Sequence, residues 1–275
     1  MSETGTAAAR YIMGHNDRER RRLALQASIQ LPFTEHLFRR AGIATGMHVL
    51  DIGCGVGDVS LLAARLVGRT GSVTSVDFDE GALSVLRSRA ASEGLLNISP
   101  LHRDVMTFEP DRKFDAVVGR HILIHTLDPL AVLKSAYRLL QPRGIAAFQE
   151  FDFGLLTPSY PACPLRDRAM PIFRDFFAAA VQPDMGRRLF SLLTQAGFDH
   201  PDCRGEFPVD GGPESPFHEW LAEALRSILP RAQAMNTPGA ADIDIETFEQ
   251  GLRAEAAAGT MLPGPPMFSC FARRP

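Results

Sequence analysis

The stretch His48-Val49-Leu50-Asp51-Ile52-Gly53-Cys54-Gly55-Val56-Gly57-Asp58 decides the fold. A short apolar run of this kind reads as a parallel strand buried on both faces. The three glycines at alternate positions let the backbone turn sharply and approach a ligand with no Cβ in the way. The pattern is G-x-G-x-G. A dinucleotide turn of the G-x-G-x-x-G kind would put its third glycine at residue 58, which is Asp, and a phosphate loop of the Walker type would end in Gly-Lys-Ser/Thr, which is absent. Asp51, Gly53, Cys54, Gly55 and Gly57 are therefore read as a nucleotide cradle, against the plainer alternative of a structural strand-to-helix turn.

Working outward, Gly71-Ser72-Val73-Thr74-Ser75-Val76-Asp77 is a second β-branched strand ending in an acid. At the carboxyl edge of a parallel sheet such an acid binds ribose hydroxyls, which makes Asp77 the ribose candidate, with Phe78 beside it. A third segment, 98–103, ends at Asp104 and Val105, and a fourth, 114–119, ends before Arg120. Strands at 48–52, 72–77, 98–103, 114–119 and 144–150 alternate with helices at 58–67, 79–93 and 129–140. That alternation specifies an α/β fold with a doubly wound, mostly parallel sheet. Asp128-Pro129 reads as an N-cap followed by proline at the first helical position.

These motifs resemble the class I S-adenosylmethionine-dependent methyltransferases, over roughly residues 11 to 205. The likeness is strongest to the small-molecule branch, through Tyr11-Ile12-Met13-Gly14-His15, Arg22-Leu23-Ala24-Leu25-Gln26-Ala27 and the run from Gly119 to Pro129. The resemblance implies a seven-stranded Rossmann-like sheet with helical lids and S-adenosyl-L-methionine as cofactor. It places the adenine at Asp104 and Val105, and it implies that a leading segment carrying Tyr11 and Gln26 folds over the cofactor. Packing alone is the competing role for Gln26.

The leading segment, residues 1–45, is expected to form a helical lid, with helices over 16–30 and 34–41. The cofactor-binding core is expected to span 46–209 and 263–275, with a cap inserted at 153–183 around a phenylalanine-rich helix at 165–181. A further helix at 184–196 precedes a sixth strand at 203–209. Residues 210–262, with helices near 215–228 and 244–257, form an insertion before the last strand at 267–272. It reads either as a substrate lid or as a homodimer contact.

At 275 residues the chain can bury a large core, and its 45% apolar and 22% charged content is globular. No apolar run is long enough for a membrane span, and the amino terminus lacks a secretory signal, so a cytoplasmic protein is expected. A net charge of −3 gives no pull toward nucleic acid. The four cysteines, Cys54, Cys163, Cys203 and Cys270, lie far apart without a C-x-x-C pair and are read as reduced thiols.

Methyl transfer from a sulfonium is an in-line displacement in which holding nucleophile and methyl in alignment supplies much of the catalysis. Hydroxyl and acidic carbon acceptors also profit from a base, and histidine is suited to that near neutral pH. His121 and His125 follow the fourth strand, where the methyl should emerge, and both are base candidates. Arg120 is a candidate anchor for the cofactor's methionine carboxylate. Glu150 and Asp152 alternate with apolar residues at the end of the fifth strand and are expected to face one cavity; Glu150 is counted with the catalytic candidates, and no metal is expected. Phe151, Phe153, Phe173, Phe176 and Phe177 suggest a pocket for an apolar or aromatic small-molecule acceptor. The function expected is methylation of such an acceptor, on oxygen before nitrogen or carbon, in secondary metabolism. The alternatives are a non-methylating protein that binds the same cofactor, a macromolecule methyltransferase, and a nicotinamide-dependent oxidoreductase, against which Asp58 speaks.

Overall fold

The computed structural model describes residues 17–275, so Tyr11 lies outside the described residues. The first described element, α1 (Asp17–Ala41), is one continuous helix with Pro32 inside it. Two helices were expected on either side of this proline, because a proline lacks the N–H of the helical ladder and crowds the preceding turn. Tertiary anchoring overrides that preference. Ala27, Gln30, Thr34, Leu37, Phe38 and Ala41 are all buried, and the Thr34 hydroxyl lies 2.8 Å from Gln149 Oε1, in the core of the sheet.

After α1 the chain alternates. Strand β1 (His48–Ile52), helix α2 (Asp58–Val67), strand β2 (Ser72–Asp77), helix α3 (Glu80–Ser92) and strand β3 (Ile98–His102) make the first half. Strand β4 (Phe114–Arg120), a single 3-10 turn at Leu123–His125, helix α4 (Pro129–Leu139) and strand β5 (Leu140–Phe151) follow. The Asp128 side chain accepts from the Ala131 N–H at 2.9 Å, with Pro129 opening α4, as the sequence suggests. Then come α5 (Pro164–Ala180), α6 (Met185–Gln195), β6 (Asp199–Glu206), β7 (Val209–Gly211), α7 (Phe217–Ala234), α8 (Phe248–Ala256), β8 (Met261–Pro263) and β9 (Met267–Arg273).

Seven strands form one sheet in the order β3-β2-β1-β4-β5-β9-β6. β1 to β5 run parallel, and β9 lies antiparallel between β5 and β6. The sheet is therefore the doubly wound, mostly parallel one expected. The order reverses beside β1, which sits between β2 and β4, and such a switch point opens a crevice at the carboxyl ends of the strands.

Two expectations are corrected at the far edge. The sixth strand runs over Asp199–Glu206, and the residues after it form β7, which pairs with β8 in a separate two-stranded sheet. Cys203 and Cys270 are not reduced thiols. The antiparallel β6–β9 register sets them opposite each other, and they are joined in a disulfide with Cα atoms 4.1 Å apart. A separation of 67 residues hides this neighbourhood from any local reading. Cys54 and Cys163 are free and buried. No helix among the described residues is long and apolar enough to cross a membrane.

Candidate active site

At the switch point the backbone leaves β1 through Gly53, Gly55 and Gly57, whose φ angles are +65°, +52° and +93°. Two of these glycines are required by close approach as well as by conformation. A Cβ on Gly53 would stand 2.5 Å from Ile122 Cδ1, and one on Gly57 would stand 2.2 Å from Leu86 Cδ1. Gly55 is different, since nothing lies within 4 Å of the place its Cβ would take, so the turn has an open side. The Gly53 and Cys54 N–H groups donate to the Val76 carbonyl at 2.9 and 3.1 Å, which ties the turn to β2. Asp77 completes it. Its carboxylate accepts from Gly55 N–H at 2.7 Å and from Asp79 N–H at 2.9 Å, and the residue also lines the cavity.

Asp51 lies beneath the turn and does not reach the cavity lining. It is buried, accepts from the Ser60 hydroxyl at 2.6 Å, and Ser60 in turn meets Ser75 at 2.7 Å. Burial pushes its carboxyl up to about 7. Gly57 is also outside the lining, so both shape the cradle from below.

The cavity above has a volume of about 860 Å³, inside the roughly 300–1,000 Å³ typical of small-molecule sites. Gly53, Cys54, Gly55, Asp77, Phe78, Asp104, Val105, Arg120 and Gln26 all line it, as do His121 and His125. Asp58 joins them; it pairs with Arg89 at 2.7 Å and stands 3.8 Å from Arg120. Arg120 also donates to the Thr34 hydroxyl at 3.2 Å. The other half of the cavity is walled by Phe151, Phe153, Met170, Phe173, Phe177 and Trp220. Phe151, Phe153 and Phe177 form a run of ring contacts, with centroids 5.3 and 4.5 Å apart. Phe176 is buried in the core instead and stays out of the lining.

His121 sits between the two halves. Its φ of +54° is unusual for a residue with a side chain, and such conformations are held only where surrounding structure enforces them. Its ring stacks on Phe151 at 4.0 Å, and Nε2 lies 3.0 Å from Gln30 Oε1. An amide oxygen only accepts, so Nε2 carries the proton and Nδ1 bears the lone pair. Nδ1 is buried and has no hydrogen-bond partner among the described residues. Burial, then the charge of Arg120, holds this imidazole neutral, well below the usual histidine range. His125 closes the 3-10 turn and is pushed down to about 4 by burial and by Arg22.

Glu150 is not in the lining, contrary to expectation. It is wholly buried, and its carboxylate faces the start of the 3-10 turn. There it accepts from the N–H groups of Ile122 at 3.0 Å, Leu123 at 2.7 Å and Ile124 at 3.3 Å. Those N–H groups lack partners at the start of any helix, so the carboxylate holds the turn that carries both histidines. Burial raises it to about 8. Asp152 is likewise turned elsewhere, held by Arg187 through 2.9 Å contacts to both carboxylate oxygens and by Gly154 N–H at 3.0 Å. Neither acid is in the cavity lining, because each meets a partner elsewhere, Glu150 at the 3-10 turn and Asp152 at Arg187.

Three residues reach the site with little warning in sequence. Arg22 stands one turn before Gln26 on α1, so the i, i+4 spacing was visible, but its burial was not. Trp220 and Leu221 come from α7, late in the chain. Trp220 Nε1 donates to Gln26 Oε1 at 3.3 Å across 194 residues of chain.

A family model described as a methyltransferase domain matches residues 43–176. The demethylmenaquinone methyltransferase of Listeria monocytogenes serotype 4a (strain HCC23) is 31% identical over 176 residues, which cover 58% of this chain and 72% of that protein. The enzyme of the same name from Staphylococcus aureus (strain MRSA252) is 31% identical over 61% of this chain and 67% of its own length. Among solved structures, the YcgJ protein of Bacillus subtilis superposes with a TM-score of 0.58 at 15% identity, covering 88% of this chain and 98% of that one. A Haemonchus contortus phosphoethanolamine N-methyltransferase, solved with S-adenosylhomocysteine, gives 0.57 at 20% identity over 89% of this chain and 52% of its own.

The residues fit the cofactor this family uses. The open side of Gly55 leaves room for a ligand against bare backbone, Asp77 offers its carboxylate next to it, and Phe78, Asp104 and Val105 wall the neighbouring space. The chain belongs to the class I S-adenosylmethionine-dependent methyltransferases, and S-adenosylmethionine is its cofactor.

Proposed function

We propose that the protein methylates a hydroxyl oxygen of a small, flat, largely apolar acceptor of secondary metabolism. One observation carries the reading: the glycine cradle and the aromatic box are two halves of a single cavity, with His121 and His125 in its lining. The cofactor supplies an electrophilic methyl group when bound. The chain's own contribution is to bring the acceptor to that methyl, to hold it there and to exclude water, which are the largest sources of rate in such a displacement. Stacked rings suit a planar acceptor, and the relatives named as demethylmenaquinone methyltransferases point to a planar ring system as well. Asp77 binds the ribose, Arg120 the methionine carboxylate, and Glu150 acts as a positioning residue through the turn it caps.

The test is incubation of the purified protein with S-adenosylmethionine carrying a deuterated methyl and a panel of hydroxynaphthalenes, phenols, aryl amines and aliphatic alcohols, read by mass spectrometry. Transfer to the flat hydroxyl compounds is expected. Transfer confined to amines or to aliphatic alcohols would overturn the reading.

A further inference from the structure

A second, small space lies behind the aromatic half of the cavity. It has a volume of about 10 Å³, and Phe217, Leu252, Leu262 and Pro263 wall it together with three side chains that also line the large cavity, Met170, Trp220 and Leu221. Those three are all buried and stand between the two spaces. The polar side chains beside the small space are turned to backbone carbonyls, Arg166 Nη1 to that of Thr157 at 2.7 Å and His218 Nε2 to that of Gly212 at 2.9 Å. The space has room for about one water molecule and is too small for an alkyl chain. The partition itself is fixed on one side and pliant on the other. The Trp220 indole is held by its Nε1 bond to Gln26 Oε1 at 3.3 Å and by its edge contact with Phe217, with ring centroids 5.8 Å apart. Met170, unbranched, adapts to what it meets.

We propose that Met170, Trp220 and Leu221 form an end wall that limits the length of acceptor the site takes, with the Trp220 indole as its fixed part. The proposal rests on the reading of the aromatic half as the acceptor site. A row of rings gives the direction. His121 stacks on Phe151 at 4.0 Å, Phe151 meets Phe153 at 5.3 Å, and Phe153 stacks on Phe173 at 6.2 Å. Phe173 and Met170 lie three residues apart on α5, on one face of that helix, so the row that starts between the two halves of the cavity ends at the wall. The reacting oxygen has to meet the methyl on the cradle side, and a substituent across the ring from it then points along the row. Each methylene buried there strengthens binding by about fourfold. One that reaches the wall gains nothing, because a packed wall yields only at a cost. Cutting the indole back joins the small space to the large one and lengthens the site.

The experiment titrates the full chain, saturated with S-adenosylhomocysteine, with the 4-alkylphenols from methyl to heptyl by calorimetry. Trp220 is the only tryptophan of the chain, so its emission reports separately on arrival at the wall. Affinity is expected to climb about fourfold per methylene to a definite length and then to stop rising or fall, with the emission changing at that length. Trp220→Ala should move the break to longer homologues, and Trp220→Phe should move it less. S-adenosylhomocysteine binding by each variant checks that it folds; if Trp220→Ala fails that check, Met170→Ala takes its place with the same expectation. Affinity that climbs without a break to the heptyl compound in the wild-type protein overturns the proposal, and so does a break at the wild-type length in a folded alanine variant. Both leave the methyltransferase reading standing. Binding of none of the phenols by the loaded wild-type protein would instead sink the reading of the aromatic half as the acceptor site, and the proposal with it.

Discussion

Replacing Glu150 separates its two effects, capping and titration. Glu150→Gln keeps one oxygen that can serve the Ile122 and Leu123 N–H groups, both of which Oε1 accepts now, but turns an amide nitrogen toward Ile124 N–H. One lost bond with a buried donor left over costs about 1–3 kcal/mol. Glu150→Leu strands all three N–H groups and should cost on the order of 3 kcal/mol or more. Titration adds a signature of its own. The carboxyl stands at about 8 in the fold against 4.5 as its ordinary value. A raised pKa contributes stability that is fully present below the unfolded value and is lost as pH rises through the folded one. Between pH 7 and pH 8 that loss is about 1 kcal/mol. Asp51, at about 7, adds a smaller loss that the wild type and the Gln variant share, so it cancels in the comparison. Urea unfolding at the two pH values measures both effects. The wild-type protein should lose about 1 kcal/mol more than Glu150→Gln over this interval. Parallel behaviour would mean that the carboxylate is ionised throughout, and a Gln variant as unstable as the Leu variant would refute the capping argument.

Asp77→Ala should weaken S-adenosylhomocysteine binding by about 1.5–3 kcal/mol, read by calorimetry, and Asp77→Asn by less; unchanged affinity removes the ribose assignment. Gly57→Ala combines a left-handed backbone with a Cβ 2.2 Å from Leu86 Cδ1, and should cost on the order of 2–4 kcal/mol. Pairing it with Leu86→Ala should recover part of that cost in a double-mutant cycle, whereas strict additivity would show that the contact is not formed. On the acid side, His125 at about 4 and His121 below its ordinary range are depressed, so their contribution to stability is present above about pH 6.5 and is lost as pH falls toward 4. His125→Asn should flatten that limb of the urea-derived stability curve. Alkylation under denaturing, non-reducing conditions should label two of the four cysteines, and reduction should destabilise the fold by about 4 kcal/mol from the loop the bridge closes; four labelled thiols would refute the pairing.

The parts of the molecule legible in sequence are those governed by local rules. The glycine turn, the β-branched strand ending in Asp77 and the Asp128-Pro129 cap each state their structure within a few residues, and the parallel order follows from alternation. What was hidden depends on distant partners. Pro32 predicts a break that the anchoring of Thr34 to Gln149 prevents. Glu150 reads as a site residue because strand alternation gives its side, but only the fold shows three backbone donors intercepting it. Cys203 meets Cys270, and Trp220 meets Gln26, through strand order and the docking of α7 on α1, which no periodicity encodes.

The position of β9 carries a practical consequence. A strand added last in sequence commonly sits at a margin, where trimming it costs little. Here Met267–Arg273 bonds β5 on one side and β6 on the other. Truncation before residue 267 would therefore unzip the sheet from within and bare two strand edges at once. Unpaired edges recruit one another between molecules, so shortened or tail-disrupted versions should precipitate rather than behave as smaller soluble domains.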